Sequence, residues 1–392
     1  MKEFLKKIIP KSFYKLIKDT RNYFFSLIMY VVRIFPIDNK KIVISSFNGR
    51  GYGDNPKYVC EALDYKNKKL IWLVKEYDHS IPNHILQIKY ESIKALYHLG
   101  TAKVWIDNSR KEIYVRKRKK QIYIQMWHGS IALKKIEKDA IDILSDKYVK
   151  KAINDSKMID LMISNSNFSD KLFSKSFWYS GEVLKSGSPR IDSFFNNKDE
   201  IIKEKFCERY KINKEYSFII YAPTFRDSLS LECYKFDQEQ LIKTFEKKYK
   251  KKFCLLLKLH PNLKGALKFE NSNALNIIDV CDYPDIYELM KISDYLITDY
   301  SSLMFEFPIN GNKPVFIFAS DLEKYNREFY FDLNQLPFSL ATNSNELIHN
   351  IKEFDEKSYY NRIECFYEQL ELFEDGRGSQ RIVDYIEKSL KS

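Results

Sequence analysis

The sequence of 392 residues lacks the patterns that mark several large classes of protein. Its six cysteines are scattered and none forms a C-x-x-C pair, which argues against a structural zinc site and a disulfide framework and fits a reducing compartment. No D-x-D motif, no G-x-x-x-x-G-K-[ST] loop and no histidine–carboxylate cluster at metal-binding spacing is present. We therefore expect no metal and no other cofactor, although one or two carboxylates can hold magnesium without a visible motif.

The chain also lacks an apolar run of about 20 residues, the length that a helix needs to cross a bilayer. Residues 23–32 are nearly all apolar, but Arg33 and Pro36 close that stretch. In residues 1–21, lysines and arginines alternate with large apolar side chains, and no small-residue cleavage site of a secretory signal follows. This mixture predicts an amphipathic segment, residues 1–36, that lies on an anionic membrane surface. The alternative is a helix that packs on the protein's own surface.

The remaining composition is typical of a globular protein of about two domains. Hydrophobic residues make up 44% of the chain and aromatic residues 15%, without repeats or low-complexity tracts. The net charge of +12 suits nucleic acid, an anionic membrane or a phosphate-rich substrate. Because the basic residues are spread along the chain, without the interleaved aromatic residues of a nucleic-acid groove, we expect no nucleic-acid partner.

Two series of apolar runs predict strands that alternate with helices. The runs lie at residues 41–47, 69–74, 102–108, 122–129 and 159–166, and then at residues 216–227, 253–261, 295–302 and 313–320. A charged helical connector separates the two series near residues 199–214. The pattern predicts an α/β protein with two Rossmann-like lobes, residues 37–200 and residues 201–392. In such lobes ligands lie beyond the carboxyl ends of the strands.

Polar residues that carry acid–base and phosphate chemistry stand at these strand ends. His128 in QMWHGS and His260 in LKLHPN occupy equivalent places in the two series, and imidazole can accept a proton from an alcohol near neutral pH. Each histidine taken alone is more often structural than catalytic. Arg190, Arg226 and Lys258 supply cations that suit phosphate oxygens, although a single such cation is usually a solvated surface group.

The stretch ITDYSS, residues 297–302, leads from an apolar strand into a predicted short helix. Ser301 and Ser302 precede the helix, where unpaired amides and the helix dipole favour an anion. An ordinary serine cap is the alternative interpretation. Together with the three cations, the stretch favours a phosphate site.

Six ordered motifs resemble the CDP-glycerol glycerophosphotransferases of teichoic acid synthesis. They are SSFNGRGYGDNP, WHGS followed by LKK, GSPRID, YAPTFRD, KLHP and TDYSS, and the later FYFDLNQLPF and DGRGSQRIVD are also similar. The resemblance covers almost everything after Pro36. It implies a GT-B fold, no metal requirement, peripheral attachment at the cytoplasmic face of the membrane, and transfer of an alditol phosphate to a lipid-linked acceptor.

The resemblance also implies roles for residues of these motifs. His128 and His260 are the expected catalytic residues. The expected substrate-binding residues are Gly129, Ser130, Arg190, Thr224, Phe225, Arg226, Lys258, Asp299, Ser301 and Ser302. Two positions depart from the family pattern, Ser130 where Thr is usual and Glu306 where Asp is usual. Neither departure removes a functional group, so we expect the chemistry to be retained, while the choice of alditol stays open.

Residues and resemblance together predict a phosphotransferase that uses CDP-glycerol or a similar CDP-alditol. A hydroxyl of a lipid-linked polyol phosphate or saccharide attacks the β-phosphorus, and CMP leaves. His128 is the expected general base, while His260, Lys258 and Arg190 are expected to hold the diphosphate together with the helix start. The alternatives are a GT-B glycosyltransferase that uses a sugar nucleotide, a CDP-ribitol ribitolphosphotransferase, and a non-catalytic membrane or nucleic-acid adaptor.

Overall fold

The computed structural model describes residues 11–129, 131–226, 231–259, 263 and 276–391, which form two parallel β-sheets. The first sheet has seven strands in the spatial order β3-β2-β1-β4-β5-β6-β7, and every neighbouring pair is parallel. Its strands are β1 (Asp38–Ser45), β2 (Lys69–Val74), β3 (Leu86–Lys89), β4 (Ala102–Asp107), β5 (Ile122–Gln125), β6 (Leu161–Ser164) and β7 (Glu182–Lys185).

The second sheet has six strands in the order β10-β9-β8-β11-β12-β13, again all parallel. Its strands are β8 (Ser217–Tyr221), β9 (Phe253–Leu257), β10 (Ile277–Asp279), β11 (Tyr295–Thr298), β12 (Val315–Phe318) and β13 (Ser339–Ala341). The two parallel sheets that the sequence predicts are therefore confirmed. The lobe boundary predicted near residue 200 falls between β7 and β8.

In each sheet the strand order reverses at one position, between β1 and β4 in the first sheet and between β8 and β11 in the second. Loops that leave the carboxyl ends of the strands diverge at such a position and open a crevice where ligands bind. Asn108 follows β4 and His128 follows β5, whereas Thr224 follows β8 and Asp299 follows β11. The topology thus brings most of the predicted site residues to the carboxyl edges of the two sheets.

Twelve α-helices lie in the described parts of the chain. They are α1 (Lys11–Val31), α2 (Asp54–Ala62), α3 (Ile93–Thr101), α4 (Asp146–Ser156), α5 (Asn167–Ser176), α6 (Asp199–Tyr210), α7 (Gln238–Tyr249), α8 (Ile286–Ile292), α9 (Leu303–Glu306), α10 (Ser344–Lys352), α11 (Glu356–Leu370) and α12 (Gly378–Lys391). Side-chain caps fix several starts; for example, Ser92 Oγ accepts the N–H of Ala95 at 3.1 Å.

The side chains of β1 alternate between two hydrophobic cores, one on each face of the first sheet. Val43 belongs to a core shared with residues of α1, α3 and α5. Ile42 and Ile44 belong to a second core, which includes residues of α2 and α12. Because Ile382 and Ile386 of α12 are fully buried there, the C-terminal helix returns from the second lobe and completes the core of the first.

One face of α1 packs on the first lobe, where Phe25 and Met29 are buried. The rest of the helix leaves large apolar side chains exposed, namely Phe13, Leu16, Ile17, Tyr23, Phe24, Leu27, Tyr30 and Val31. The helix α1 therefore packs on the protein with one face and exposes apolar side chains on another. Its contact with a membrane stays a prediction. None of the helices described here has the length and apolar character required to cross a membrane. Residues 1–10 of the predicted segment lie outside the described residues.

Candidate active site between the two lobes

His128 follows a left-handed residue at the end of β5. Trp127 has φ = 50°, a conformation that is unusual for a bulky side chain and that clusters at functional sites. The N–H of Trp127 donates to Gln125 Oε1 at 2.9 Å, and its ring packs edge-on against Phe177 with 4.8 Å between the centroids. These contacts hold the turn that carries His128.

Asn108 orients the imidazole of His128. Nδ1 of His128 lies 2.9 Å from the main-chain oxygen of Asn108. Because a carbonyl oxygen only accepts hydrogen bonds, we assign the proton to Nδ1, and Nε2 keeps its lone pair in the neutral ring. Asn108 is held in turn by its side chain, whose Oδ1 accepts the N–H of Phe47 at 2.8 Å.

The protein around the imidazole lowers the pKa of His128. Desolvation by burial is the largest cause, and the hydrogen bond to Asn108 opposes it; Asp54 also raises this pKa, while Arg190 lowers it. The residue is nevertheless exposed to solvent, so a substrate can reach its ring. A histidine with a pKa below its ordinary value is neutral near pH 7, which is the state that a general base requires.

The loop that carries His128 meets the loop that follows β11. A Cβ built on Gly129 would lie 3.7 Å from Oγ of Ser302, so the two lobes approach closely at this point. Ser301 Oγ accepts the N–H of Leu303 at 3.3 Å and begins α9. Since α9 is only one turn long, its dipole is weak. Ser130 lies outside the described residues.

Asp299 and Arg226 together connect the loops that follow β8, β11 and β12. Its Oδ1 accepts the N–H of Thr224 at 2.8 Å, and its Oδ2 lies 2.8 Å from Nη2 of Arg226. Arg226 also pairs with Asp321, with 2.7 Å between Nε and Oδ2, and donates to Thr224 Oγ1 at 2.6 Å. Burial raises the pKa of Asp299, although Arg226 opposes this shift. Phe225 lies beside this network and lines a cavity of about 790 Å³.

Arg190 joins the two lobes from a buried position. Its Nη1 donates to Asp54 Oδ1 of the first lobe at 2.9 Å, and its Nη2 donates to Glu306 Oε1 of the second. The hydroxyl of Tyr287 donates to Glu306 Oε2 at 2.7 Å and completes the cluster. Because Arg190 is only 2% exposed and both terminal nitrogens bind carboxylates, its side chain connects the lobes.

Lys258 follows β9 and is also bound by main-chain groups. Its ammonium donates to the oxygens of Cys281 at 2.8 Å and Tyr283 at 2.6 Å, in the loop that follows β10. Burial lowers the pKa of Lys258, and nearby acidic groups such as Asp282 oppose this shift. His260, the second predicted catalytic residue, lies outside the described residues.

The structure therefore brings His128, Gly129 and Ser302 together between the lobes, with the Asp299 network beside them. Sequence reasoning missed the partners Asn108, Asp54 and Asp321. Asn108 had a signal as the polar end of the predicted strand AKVWIDN, and Asp54 had one inside the motif SSFNGRGYGDNP, whereas Asp321 had none. Across the described ranges, no group of three or more His, Cys, Asp or Glu side chains is placed to hold a metal ion.

Comparison with known families agrees with this geometry. A sequence model described as CDP-Glycerol:Poly(glycerophosphate) glycerophosphotransferase matches residues 27–388. The protein is therefore a member of the glycerophosphotransferase family that is named for CDP-glycerol and poly(glycerophosphate).

Two curated relatives and one solved structure show how far the similarity extends. The teichoic acid glycerol-phosphate transferase of Staphylococcus aureus is 32% identical over 372 residues, which cover 90% of this chain and 94% of that protein. The teichoic acid poly(glycerol phosphate) polymerase of Staphylococcus epidermidis is also 32% identical, but this chain spans only 51% of its length. The structure of the wall teichoic acid polymerase TagF superposes with a TM-score of 0.83 at 30% identity and 96% coverage of both chains, which confirms the GT-B fold.

Proposed function

We propose that this protein transfers glycerol phosphate from CDP-glycerol to a hydroxyl group of an acceptor and releases CMP. The family membership supports this reaction class. The observation that carries the proposal is His128, whose Nδ1 is anchored by Asn108 and whose loop approaches the Ser302 hydroxyl of the other lobe. This arrangement provides a neutral base next to hydroxyl groups that suit phosphate oxygens.

In the proposed reaction, the acceptor oxygen attacks the β-phosphorus of CDP-glycerol while Nε2 of His128 takes the hydroxyl proton. A new phosphorus–oxygen bond forms, and the bond between the β-phosphorus and the oxygen that bridges to the α-phosphorus breaks. The electron pair of that bond leaves with CMP. Transfer of this kind requires mainly positioning and stabilisation of charge, to which a general base adds about 10²–10⁴ in rate.

The donor diphosphate, in this proposal, lies against the hydroxyls of Ser301 and Ser302, with further contacts from Lys258 and His260, which follow β9 in the sequence. Gly129 allows the close approach of the two lobes, and Ser130 and Phe225 are further substrate contacts. Thr224, Arg226 and Asp299 hold the surrounding loops. Arg190, expected from the sequence to contact the donor, acts here as a positioning residue because two carboxylates occupy its guanidinium.

The acceptor, we further propose, is lipid-linked, and the protein works at the cytoplasmic face of a membrane without crossing it. The exposed apolar side chains of α1 support this placement, since they share the helix with Lys15, Lys18 and Arg21. An amphipathic helix of this composition binds anionic bilayers through apolar burial and charge attraction.

The released nucleotide tests the reaction class. The full chain is incubated with CDP-glycerol, CDP-ribitol and UDP-sugars in turn, and the released nucleotide is identified by mass. CMP from CDP-glycerol supports the proposal, and CMP from CDP-ribitol alone would keep the reaction class but change the alditol. Release of only a nucleoside diphosphate, from a sugar nucleotide, would replace the proposal with the glycosyltransferase alternative.

A further inference from the structure

A cavity of about 790 Å³ opens beside the Asp299 network, at the carboxyl edge of the second sheet. Its walls are the loop that follows β8, with Phe225 and Arg226, and the loop that follows β12, residues 320–327. Among the described residues, Lys134 is the one that the first lobe supplies to the lining. The cavity therefore lies above the position where the strand order of the second sheet reverses, the place where α/β sheets bind ligands.

Lys134 reaches this cavity because a short strand-like contact joins the two lobes. Lys134 forms an antiparallel bridge with Phe329. The N–H of Lys135 donates to the oxygen of Glu328 at 2.8 Å, and the N–H of Tyr330 donates to the oxygen of Leu133 at 2.8 Å. These hydrogen bonds hold Lys134 beside the residues that follow β12.

The cavity has an excess of positive charge. The carboxylates of Asp299 and Asp321 are already paired with Arg226, and Glu232 pairs with Lys235. No carboxylate of the described residues forms an ion pair with Lys134 or Arg327, although Asp299 attracts Lys134 from a distance. A cavity that is lined by unpaired cations, and whose carboxylates are all paired, favours an anionic ligand.

Three lining cations form no ion pair within the described residues; Lys324 is exposed to solvent, whereas Lys134 and Arg327 are half-buried and poorly satisfied by the protein itself. In the described part of the chain, Lys134 Nζ has only a ring contact, 5.8 Å from the centroid of Tyr325. Arg327 Nη2 donates to the oxygen of Lys135 at 3.2 Å, but its Nε is buried without a hydrogen-bond partner. Burial lowers the pKa of Lys134 to about 8, and Arg327 and Arg226 add to this shift against the attraction of Asp299. A bound anion would offset the cost of holding these cations in a half-buried place.

We infer that this cavity is a second phosphate subsite, in which Lys134 and Arg327 bind a phosphodiester group of the acceptor. The inference rests on the proposed function, because an acceptor extended by glycerol phosphate carries a phosphodiester after the first transfer. Lys134 stands six positions after His128, so one first-lobe segment supplies both the proposed base and a wall of the cavity. The donor phosphates are placed elsewhere, at Ser301, Ser302 and Lys258.

The test compares a charged and an uncharged acceptor on matched variants of the full chain. The charged probe is synthetic tri(glycerol phosphate), and the uncharged probe is triglycerol, which offers hydroxyls without phosphate. The variants are Lys134→Met, Arg327→Met and the double substitution. Lys135→Met is the control, because it removes the same charge one residue along, where the side chain pairs with Glu328.

Loss of a charge-assisted hydrogen bond should raise the KM for tri(glycerol phosphate) about ten- to hundredfold in the single variants, and further in the double variant. The KM for CDP-glycerol and the KM for triglycerol should stay within about twofold of the parent values, as should every constant of Lys135→Met. An unchanged KM for tri(glycerol phosphate) would overturn the inference. A rise confined to CDP-glycerol would assign the subsite to the donor and overturn the acceptor assignment.

A binding measurement separates this inference from the proposed function. Tri(glycerol phosphate) is titrated calorimetrically into the parent and the double variant without donor, at low and high salt. Salt-weakened binding by the parent that the double variant loses supports the subsite, even if CDP-glycerol yields no CMP and the proposed function fails. Equal binding by both proteins contradicts the subsite even if CMP is released. Thermal unfolding of each variant confirms that the substitutions leave the fold intact.

Discussion

Nδ1 of His128 lies 2.9 Å from the main-chain oxygen of Asn108, and this contact determines which nitrogen can act as a base. Asn108 follows β4 and binds the main chain that follows β1, so the histidine is oriented from the position where the strand order of the first sheet reverses. Nε2 is the nitrogen left with a lone pair. The orientation of the His128 ring therefore follows from the topology of the sheet and from the main-chain oxygen of Asn108. A side-chain substitution at position 108 does not remove that oxygen.

The first prediction concerns the turnover of His128→Ala. Since a general base contributes about 10²–10⁴ in rate, CMP release from CDP-glycerol should fall by about that factor. CDP-glycerol should bind nearly as well as to the parent, because the base acts on the acceptor. Steady-state rates and calorimetric titration of CDP-glycerol measure the two quantities.

A matched substitution and a second histidine sharpen this test. His84→Ala serves as the control, because His84 stacks on Tyr65 at 4.2 Å between centroids, away from the described site. His260→Ala should lower both turnover and affinity for CDP-glycerol, since a partner of the diphosphate acts in the ground state and the transition state. Near-parental turnover of His128→Ala would remove the base assignment, and loss of donor affinity in His128→Ala alone would reverse the roles of the two lobes.

The second prediction concerns pH. Burial lowers the pKa of His128 below its ordinary value of 6.5, with Asn108 and Asp54 opposing the shift. The protonated imidazole cannot accept a proton, so kcat/KM should be constant near neutral pH and should fall as the pH decreases through the lowered pKa. A pH profile from about pH 4.5 to 8 measures the midpoint, which reports the free enzyme. A midpoint above 6.5, or an acid limb that persists in His128→Ala, would contradict this assignment.

The sequence predicts the inner strands of both sheets and misses the edges. All nine predicted runs correspond to strands, whereas β3, β7, β10 and β13, the four edge strands, had no prediction. Inner strands are buried on both faces and read as continuous apolar runs, but edge strands are short and partly exposed, as the sequence LQIK of β3 shows. Pattern reasoning therefore finds the sheets, and only the folded chain shows how far they extend.

The sequence predicts the site residues that stand in a recognisable motif or at a strand end, but not the contacts that these residues make. His128 and Asp299 stand at the ends of recognisable strands, so their shared edge follows from the α/β rule. The partners of Arg190 could not be predicted, because Asp54 and Glu306 are distant in sequence and meet it only when the lobes pack. Lys134 stood in the quoted motif LKK, yet its place in a cavity depends on a bridge to the second lobe.

The third prediction concerns membrane contact by α1. Deletion of residues 1–35 is a poor test, because Phe25 and Met29 fill the core of the first lobe. Replacing the exposed Phe24, Leu27 and Val31 by serine removes apolar surface without opening that core. The triple variant should stay folded and should no longer sediment with acidic liposomes, since apolar burial and charge attraction act together.

Two comparisons make the liposome measurement specific. Serine substitutions at the exposed Tyr65, Tyr77 and Ile201 remove apolar surface elsewhere and should leave sedimentation unchanged. Added salt should weaken attachment of the parent, because part of it is electrostatic. If the α1 triple variant sediments like the parent, the exposed face of α1 is not the membrane contact.

The fourth prediction concerns the stability of the contact between the lobes. Arg190→Met leaves Asp54 and Glu306 without their shared cation in a buried place, and removal of one partner of a buried pair costs about 3–5 kcal/mol. The urea midpoint of the variant should fall accordingly. The control is Lys243→Met, which breaks an exposed pair with Glu239 of α7 and should leave the urea midpoint almost unchanged. If the urea midpoints of Arg190→Met and Lys243→Met are equal, the buried ion pairs of Arg190 stabilise the protein no more than an exposed ion pair does. The Arg190 cluster would then not hold the lobes together.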